Sequence, residues 1–246
     1  MNYSLILRII GIMLILFSIM LFIPIIVSII YNDGNLSTFL LSSLIILITG
    51  LILYYPNKNS KNDIKTKEGF LIVVAFWFIL SIFGSLPFML DKQLTLSFTD
   101  AFFESVSGWT TTGATIITSL DILSPSILIY RQELQWLGGM GLVILAIAIL
   151  PMLGVGGNLL YKAESTGPIK DTKISPRIAE TAQSLWSIYL GLTILCSLFY
   201  YFAGMNFFDA VAHGFSTIAI GGFSTHDASI GYFDSYLIEI ICIVFM

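Results

Sequence analysis

Apolar residues in this chain come in long unbroken blocks separated by short polar stretches. Residues 9–30, 37–54, 70–90 and 183–203 each form such a block, and 126–152 forms another with Arg131 and Glu133 in its first turns. A bilayer core of about 30 Å needs about 20 apolar residues in a helix, so each block predicts a membrane span. The final run, 236–246, is shorter and carries no helix-ending signal, so the sequence is expected to end within a helix. The first block is too long for a signal-peptide core and lacks an Ala-x-Ala-type cleavage site, which predicts a retained span. Composition agrees: 57% of the 246 residues are hydrophobic and 11% charged, against about 25% charged in a soluble domain. The fold class expected is an all-α integral membrane protein.

The positions of the charges orient the spans. Of eleven Lys and Arg residues, nine fall in three groups: Arg8 before the first span, Lys58, Lys61, Lys65 and Lys67 after the second, and Lys162, Lys170, Lys173 and Arg177 after the 126–152 block. The positive-inside rule assigns these to the cytoplasmic side, so the N-terminus is expected inside. Segments 31–36, 91–125 and 205–234 are then outside. They carry Asp33, Asp91, Asp100, Glu104, Asp121, Asp209, Asp227 and Asp234. An acidic face concentrates cations, although any one of these carboxylates reads as an ordinary solvated loop residue. Cys196 and Cys242 lie in apolar blocks and behave as small hydrophobes, with no disulfide or metal spacing.

A repeat organises the chain. An ungapped shift of 109 residues lays "FTDAFFESVSGWTTTGAT" (98–115) on "FFDAVAHGFSTIAIGGFS" (207–224). Asp100 meets Asp209, Ala101 meets Ala210, Ser107 meets Ser216, Gly113 meets Gly222 and Thr115 meets Ser224. Each copy follows an inward-to-outward span and precedes the returning one. The repeats therefore run in the same direction, related by an axis along the membrane normal.

Residues 98–109 predict a helix of about 18 Å at 1.5 Å per residue, about half the hydrocarbon thickness. Such a helix dips to mid-membrane and must turn back. Asp100 suits the positive end of its dipole, and the opposite end directs partial negative charge inward. Non-helical backbone at that depth is tolerated only when buried in protein or lining a wet cavity. Gly113 allows backbone angles that a Cβ forbids, and a ring of carbonyls can replace the hydration shell of a monovalent cation. "SGWTTTGAT" (107–115) reads as a selectivity-filter strand.

These motifs, with "QWLGGMGLVILAIAILPMLGVGG" (135–157) and "GFSTIAIGGFSTHDASIGYFDS" (214–235), resemble the Trk/Ktr/HKT superfamily of potassium transporters, most closely the TrkH type of membrane subunit. The resemblance implies a helix pair over 1–56 and a membrane–pore–membrane repeat over 57–152. It further implies a cytoplasmic loop over 153–182 and a second repeat over 183–246, both repeats with re-entrant pore loops. It gives Thr110, Thr111, Thr112, Gly113 and Ala114 as the first filter strand and Ala219, Ile220, Gly221, Gly222 and Phe223 as the second. Potassium would bind through the carbonyls of Thr111, Thr112, Gly113, Ile220, Gly221 and Gly222. Glycine rather than serine at 113 implies preference for potassium over sodium. The resemblance also implies residence in the inner membrane and a cytosolic nucleotide-binding TrkA-like subunit as partner. It implies a homodimer of the full-length chain, and potassium as substrate with no cofactor.

Other features have plainer expectations. "GGMG" (138–141) reads as a helix-packing patch beside the short pore helix. "GVGG" (154–157) lacks a preceding strand and a following Lys-Ser/Thr, so it reads as a helix end and not a phosphate loop. Glu104 and His213 share a repeat position and are expected in structural hydrogen bonds. Arg131 and Glu133 are expected to pair, and His226 to be a surface residue. Glu239 has no assigned role. No catalytic arrangement is present. Three functions stay open: a potassium pore subunit, a non-conducting fragment or half-channel needing a second chain, and a secondary carrier. The carrier would call for inverted repeats.

Overall fold

The computed structural model describes residues 3–60, 66–141 and 175–246. "GVGG" and most of the expected cytoplasmic loop lie outside the described residues, as do the lysines at 162, 170 and 173. Among the described residues every regular element is helical: α1 (Tyr3–Met20), α2 (Phe22–Tyr31), α3 (Leu36–Tyr54), α4 (Thr66–Gly84), α5 (Leu86–Leu90), α6 (Phe98–Trp109), α7 (Pro125–Gly139), α8 (Ser175–Phe202), α9 (Phe207–Ile218) and α10 (Tyr236–Phe245). Four stretches are long and apolar enough to cross a membrane: Tyr3–Tyr31, Leu36–Asn57, Leu71–Leu90 and Gln183–Phe202.

Two of the expected spans are interrupted by proline. The first is divided at Leu21, between α1 and α2, because Pro24 has no N–H to bond the carbonyl of Met20 and its ring crowds that carbonyl. Pro87 sits in the same way just past the α4–α5 junction at Ser85. Helix α8 begins at Ser175, eight residues before the span expected from 183.

Helices α1 and α3 pack closely where Gly11 faces Gly50. A Cβ on Gly11 would stand 2.8 Å from the Gly50 carbonyl oxygen, and one on Gly50 2.9 Å from that of Gly11. Small residues set such close crossings. A core of α1–α7 side chains includes Leu5, Phe39, Phe76, Trp109, Tyr130 and Leu134. A second core, around Cys196, Tyr200, Met205 and Ile238, belongs to α8–α10. Helix α7 joins the two. Trp136 stacks on Phe215 at 5.0 Å and on Tyr189 at 5.8 Å. Its indole N–H donates to Thr193 Oγ1 at 3.0 Å.

The segments expected outside meet one another, which places them at one end of the molecule. Asn35 donates to Ser124, Gln93 Nε2 to the Ile122 carbonyl, and the Leu120 N–H to Asp227. Their carboxylates act as backbone acceptors more than as free surface charge. Asp33 accepts from Ser28 Oγ and the N–H groups of Asn35 and Ser126, fixing the start of α7. Asp91 accepts the N–H groups of Gln93 and Leu94. Partial burial works to raise the Asp33 pKa, but the bonds from Ser126, Ser28 and Asn35 outweigh it and hold the carboxyl below its ordinary value.

Candidate ion-selectivity site

Both short helices span the residues expected, and both are built by the same local rules. Ser97 caps α6 by accepting the Asp100 N–H, and Asn206 caps α9 by accepting that of Asp209. These side-chain oxygens satisfy donors that a helix start leaves bare. At the other end the chain reverses through paired bonds. Thr112 N–H reaches the Ser107 carbonyl at 3.0 Å and Thr111 N–H that of Gly108 at 3.0 Å. Gly221 N–H reaches Ser216 at 2.9 Å and Ile220 N–H reaches Thr217 at 3.0 Å, at the same repeat positions. This is the Schellman termination, whose penultimate residue is left-handed. Thr111 and Ile220 hold that place, at φ +52° and +54°. Two residues on, Gly113 and Gly222 are also left-handed, at +76° and +85°.

The sequence named Thr111 and Ile220 among the strand residues but singled out only the glycines for a left-handed turn. A β-branched residue there is an outlier, at a cost of about 1–3 kcal/mol each. No composition signal marks it; only the helix length relative to the glycine would have.

The two strands touch. A Cβ on Gly113 would run into the Gly221 carbonyl oxygen, and one on Gly221 into the side-chain amide of Gln135. A Cβ on Gly222 would meet nothing within 4 Å, so that glycine is required by its backbone angle alone. Thr110, Thr112, Ala114, Ile220 and Gly222 are exposed along the strands, while Ala219, Gly221 and Phe223 are buried. Of the six carbonyls expected to face an ion, those of Thr111, Thr112, Gly113, Ile220 and Gly222 accept no hydrogen bond among the described residues. The Gly221 carbonyl accepts from Gln135 Nε2 at 2.7 Å.

Behind the strands lies a buried charge pair. Arg131 and Glu104 are each fully buried and meet at 2.9 Å. The guanidinium also donates to the Ser224 carbonyl at 3.0 Å and to Thr115 Oγ1 at 3.0 Å, and lies 4.3 Å from the centre of the Phe223 ring. Glu104 accepts in addition from Thr115 Oγ1 and the Ile116 N–H. Burying two charges is tolerable because both carboxylate oxygens and all three guanidinium nitrogens have hydrogen-bond partners. The expected Arg131–Glu133 pair does not form. Residues two apart on a helix do not face each other, and the Glu133 carboxylate is buried with no partner among the described residues.

His213 stands where Glu104 does in the other repeat. Its Nδ1 is 2.9 Å from the Asp209 carbonyl and its Nε2 3.0 Å from Ser224 Oγ. Both residues thus bond the hydroxyl at the repeat position two past the left-handed glycine, Thr115 or Ser224, as the structural hydrogen bonds expected. His226 is not the plain surface residue expected. Its ring stacks on Tyr232 at 3.5 Å, with Nδ1 2.6 Å from Asp121 and Nε2 3.1 Å from Asp209. The bond from His226 is the main cause holding the Asp121 carboxyl below its ordinary pKa.

The glycines of "GGMG" do pack on the ends of the short helices α6 and α9. A Cβ on Gly138 would overlap the Trp109 carbonyl at the end of α6, and one on Gly139 would stand 2.8 Å from Ala219 Cβ at the end of α9. Glu239 is exposed on α10.

The family model for TrkH, described as a cation transport protein, matches residues 35–246. This chain belongs to the TrkH family. The Trk system potassium uptake protein TrkH of Halomonas elongata is 56% identical over 246 residues, covering 100% of this chain and 51% of that protein. The protein of the same name in Escherichia coli K12 is 55% identical with the same coverage. The crystal structure of the potassium transporter TrkH from Vibrio parahaemolyticus matches with a TM-score of 0.84 at 51% identity, covering 100% of this chain and 49% of that one. The chain therefore spans about half the length of the relatives it matches. The family is one of cation transport proteins, and the glycine-turned strands of this chain lie in the matched region.

Proposed function

We propose that this chain contributes two strands of a potassium-uptake pore in the cytoplasmic (inner) membrane, with its N-terminus on the cytoplasmic side. The carbonyls of Thr111, Thr112, Gly113, Ile220, Gly221 and Gly222 take the place of the ion's water. The carrying observation is the repeated turn: two half-membrane helices, each ended by a left-handed residue and then by a left-handed glycine, with their strands in contact. Five carbonyls without an intramolecular partner are otherwise costly in an apolar setting, and a dehydrated cation would answer them. A carbonyl oxygen has two lone pairs, so Gly221 can serve an ion as well as Gln135. No cofactor is needed, since potassium is the cargo. In this reading the full-length protein forms a homodimer and receives a TrkA-like cytosolic nucleotide-binding subunit.

The same-direction repeat argues against a secondary carrier, which calls for inverted halves. A non-conducting half that needs a second chain to close the ring is the second reading. It is favoured by the open edge at Thr110, Thr112, Ile220 and Gly222. Growth of a potassium-uptake-deficient bacterium on low potassium separates them, using this chain alone and the complete gene product that carries it. Rescue by the complete product only is expected from the half-pore reading, and rescue by this chain alone would mean that copies close the ring. Failure of both would contradict potassium uptake.

A further inference from the structure

Gln135 is fully buried and lies on α7, which belongs to the first repeat. Both polar atoms of its amide are spent on the filter strand of the other repeat. Nε2 donates to the Gly221 carbonyl at 2.7 Å, and Oε1 accepts the Phe223 N–H at 3.0 Å. A primary amide offers one donor side and one acceptor side at fixed separation, so it grips a peptide segment much as a neighbouring strand would. The grip is close enough that Gly221 admits no side chain, because a Cβ there would overlap the amide. The carbonyl it holds is the one lying against Gly113 of the first strand. One turn earlier on α7, Arg131 secures the next part of the same strand through the Ser224 carbonyl. In the ungapped repeat register the position matching Gln135 is Val244, which has no such capacity. Among the described residues no side-chain amide holds the first strand in this way.

From this we infer that Gln135 is a positioning residue for ion selectivity. It fixes the second filter strand at the contact between strands, and so sets how closely the carbonyls can follow a small ion. The inference rests on the filter reading above. A strand free to yield would contract around sodium and lose discrimination; a strand held at two points would not. Leucine removes both bonds. Glutamate keeps the shape and the acceptor to Phe223 but places an oxygen against the Gly221 carbonyl.

The test measures rubidium uptake, as a potassium tracer, and its inhibition by sodium in the complete gene product. The variants are Gln135→Leu, Gln135→Glu, Gly113→Ser and Trp136→Phe. The last loses a buried hydrogen bond to Thr193 without touching the strands. Gln135→Leu should lower the rubidium-to-sodium preference about tenfold, the effect of two lost hydrogen bonds; Gln135→Glu, which loses one bond and sets two oxygens against each other, should lower it in the same direction; and Trp136→Phe should destabilise the protein while leaving the preference unchanged. If Gln135→Leu fails to reach the membrane, the near-isosteric Gln135→Glu decides. A preference unchanged in Gln135→Glu but shifted in Gly113→Ser would overturn the inference and leave the filter reading standing. An unchanged preference in all variants would overturn both. A Trp136→Phe shift as large as that of Gln135→Glu would reduce Gln135 to general packing and also overturn it.

Discussion

In the first repeat, Glu104 in the short helix α6 meets Arg131 from the following helix; in the second, His213 at the same position meets Ser224 and a carbonyl of its own helix. The backbones around them are alike down to the capping bond and the left-handed turn. The shape of each helix-and-turn unit is therefore dictated locally, by a polar N-cap, twelve residues and a glycine two places past the turn. What holds that shape against its surroundings is chosen separately in each copy. The first repeat uses charge, and its arginine and Gln135 reach across to brace the second. That leaves α10 free of any such duty: it carries Ile240 and Val244 where α7 carries Arg131 and Gln135.

The comparison is broken most severely at Arg131. Arg131→Met leaves Glu104 charged and buried, and should cost about 3–5 kcal/mol, read as a loss of thermal stability of the complete protein in detergent. Adding Glu104→Gln should recover a good part of that loss. His213→Gln, which removes no charge, should cost about 1–2 kcal/mol. Equal costs for Arg131→Met and His213→Gln would deny that the two repeats are held differently.

Next come the glycines on which α7 meets the pore helices. Gly138→Ala drives a Cβ into the Trp109 carbonyl, a backbone atom that cannot swing aside. It should cost about 1–3 kcal/mol and displace the first pore helix. Gly139→Ala meets the Ala219 side chain and should act on the second. The caps, in contrast, should behave alike. Ser97→Ala and Asn206→Ala should each cost about 1 kcal/mol, and a clear inequality would show that local structure is not the shared part of the two repeats.

Much of this was readable beforehand, and the limits have physical causes. Block length gave four of the five expected membrane-length stretches, the fifth, 126–152, running beyond the described residues, and the shift of 109 residues matched the two twelve-residue helices, because hydrophobic thickness and helix rise are nearly invariant. Gly113 and Gly222 were legible because a left-handed turn favours glycine. Thr111 and Ile220 were not, because nothing in their chemistry suits that conformation; the paired helix-end bonds impose it. The partner of Arg131 was misread as Glu133, two residues along, where helix geometry forbids a meeting. Its true partner lies 27 residues back, and only tertiary packing brings it near. Gln135 stood in the sequence only as the first residue of a family motif with no role of its own, since its partners are backbone groups that leave no trace in side-chain patterns.

The smallest expected effect lies at the loop end. The Asp33 pKa is depressed in the folded protein, so its contribution is complete above its ordinary, unfolded value near 3.8. That contribution is lost as pH falls through the lower folded value. Asp33→Asn should flatten the stability profile across that acidic window and leave neutral pH little changed, as seen by melting the complete protein at stepped pH. No flattening would mean that Asp33 does not anchor the start of α7.

The central claim is that the two repeats jointly build one potassium-selective filter. Sodium competition against rubidium uptake by the complete protein, with Gly113→Ser beside the unaltered form, tests it most directly. The serine side chain must enter the space of the Gly221 carbonyl, so the account predicts a shift of preference toward sodium. An unchanged rubidium-to-sodium ratio would contradict it.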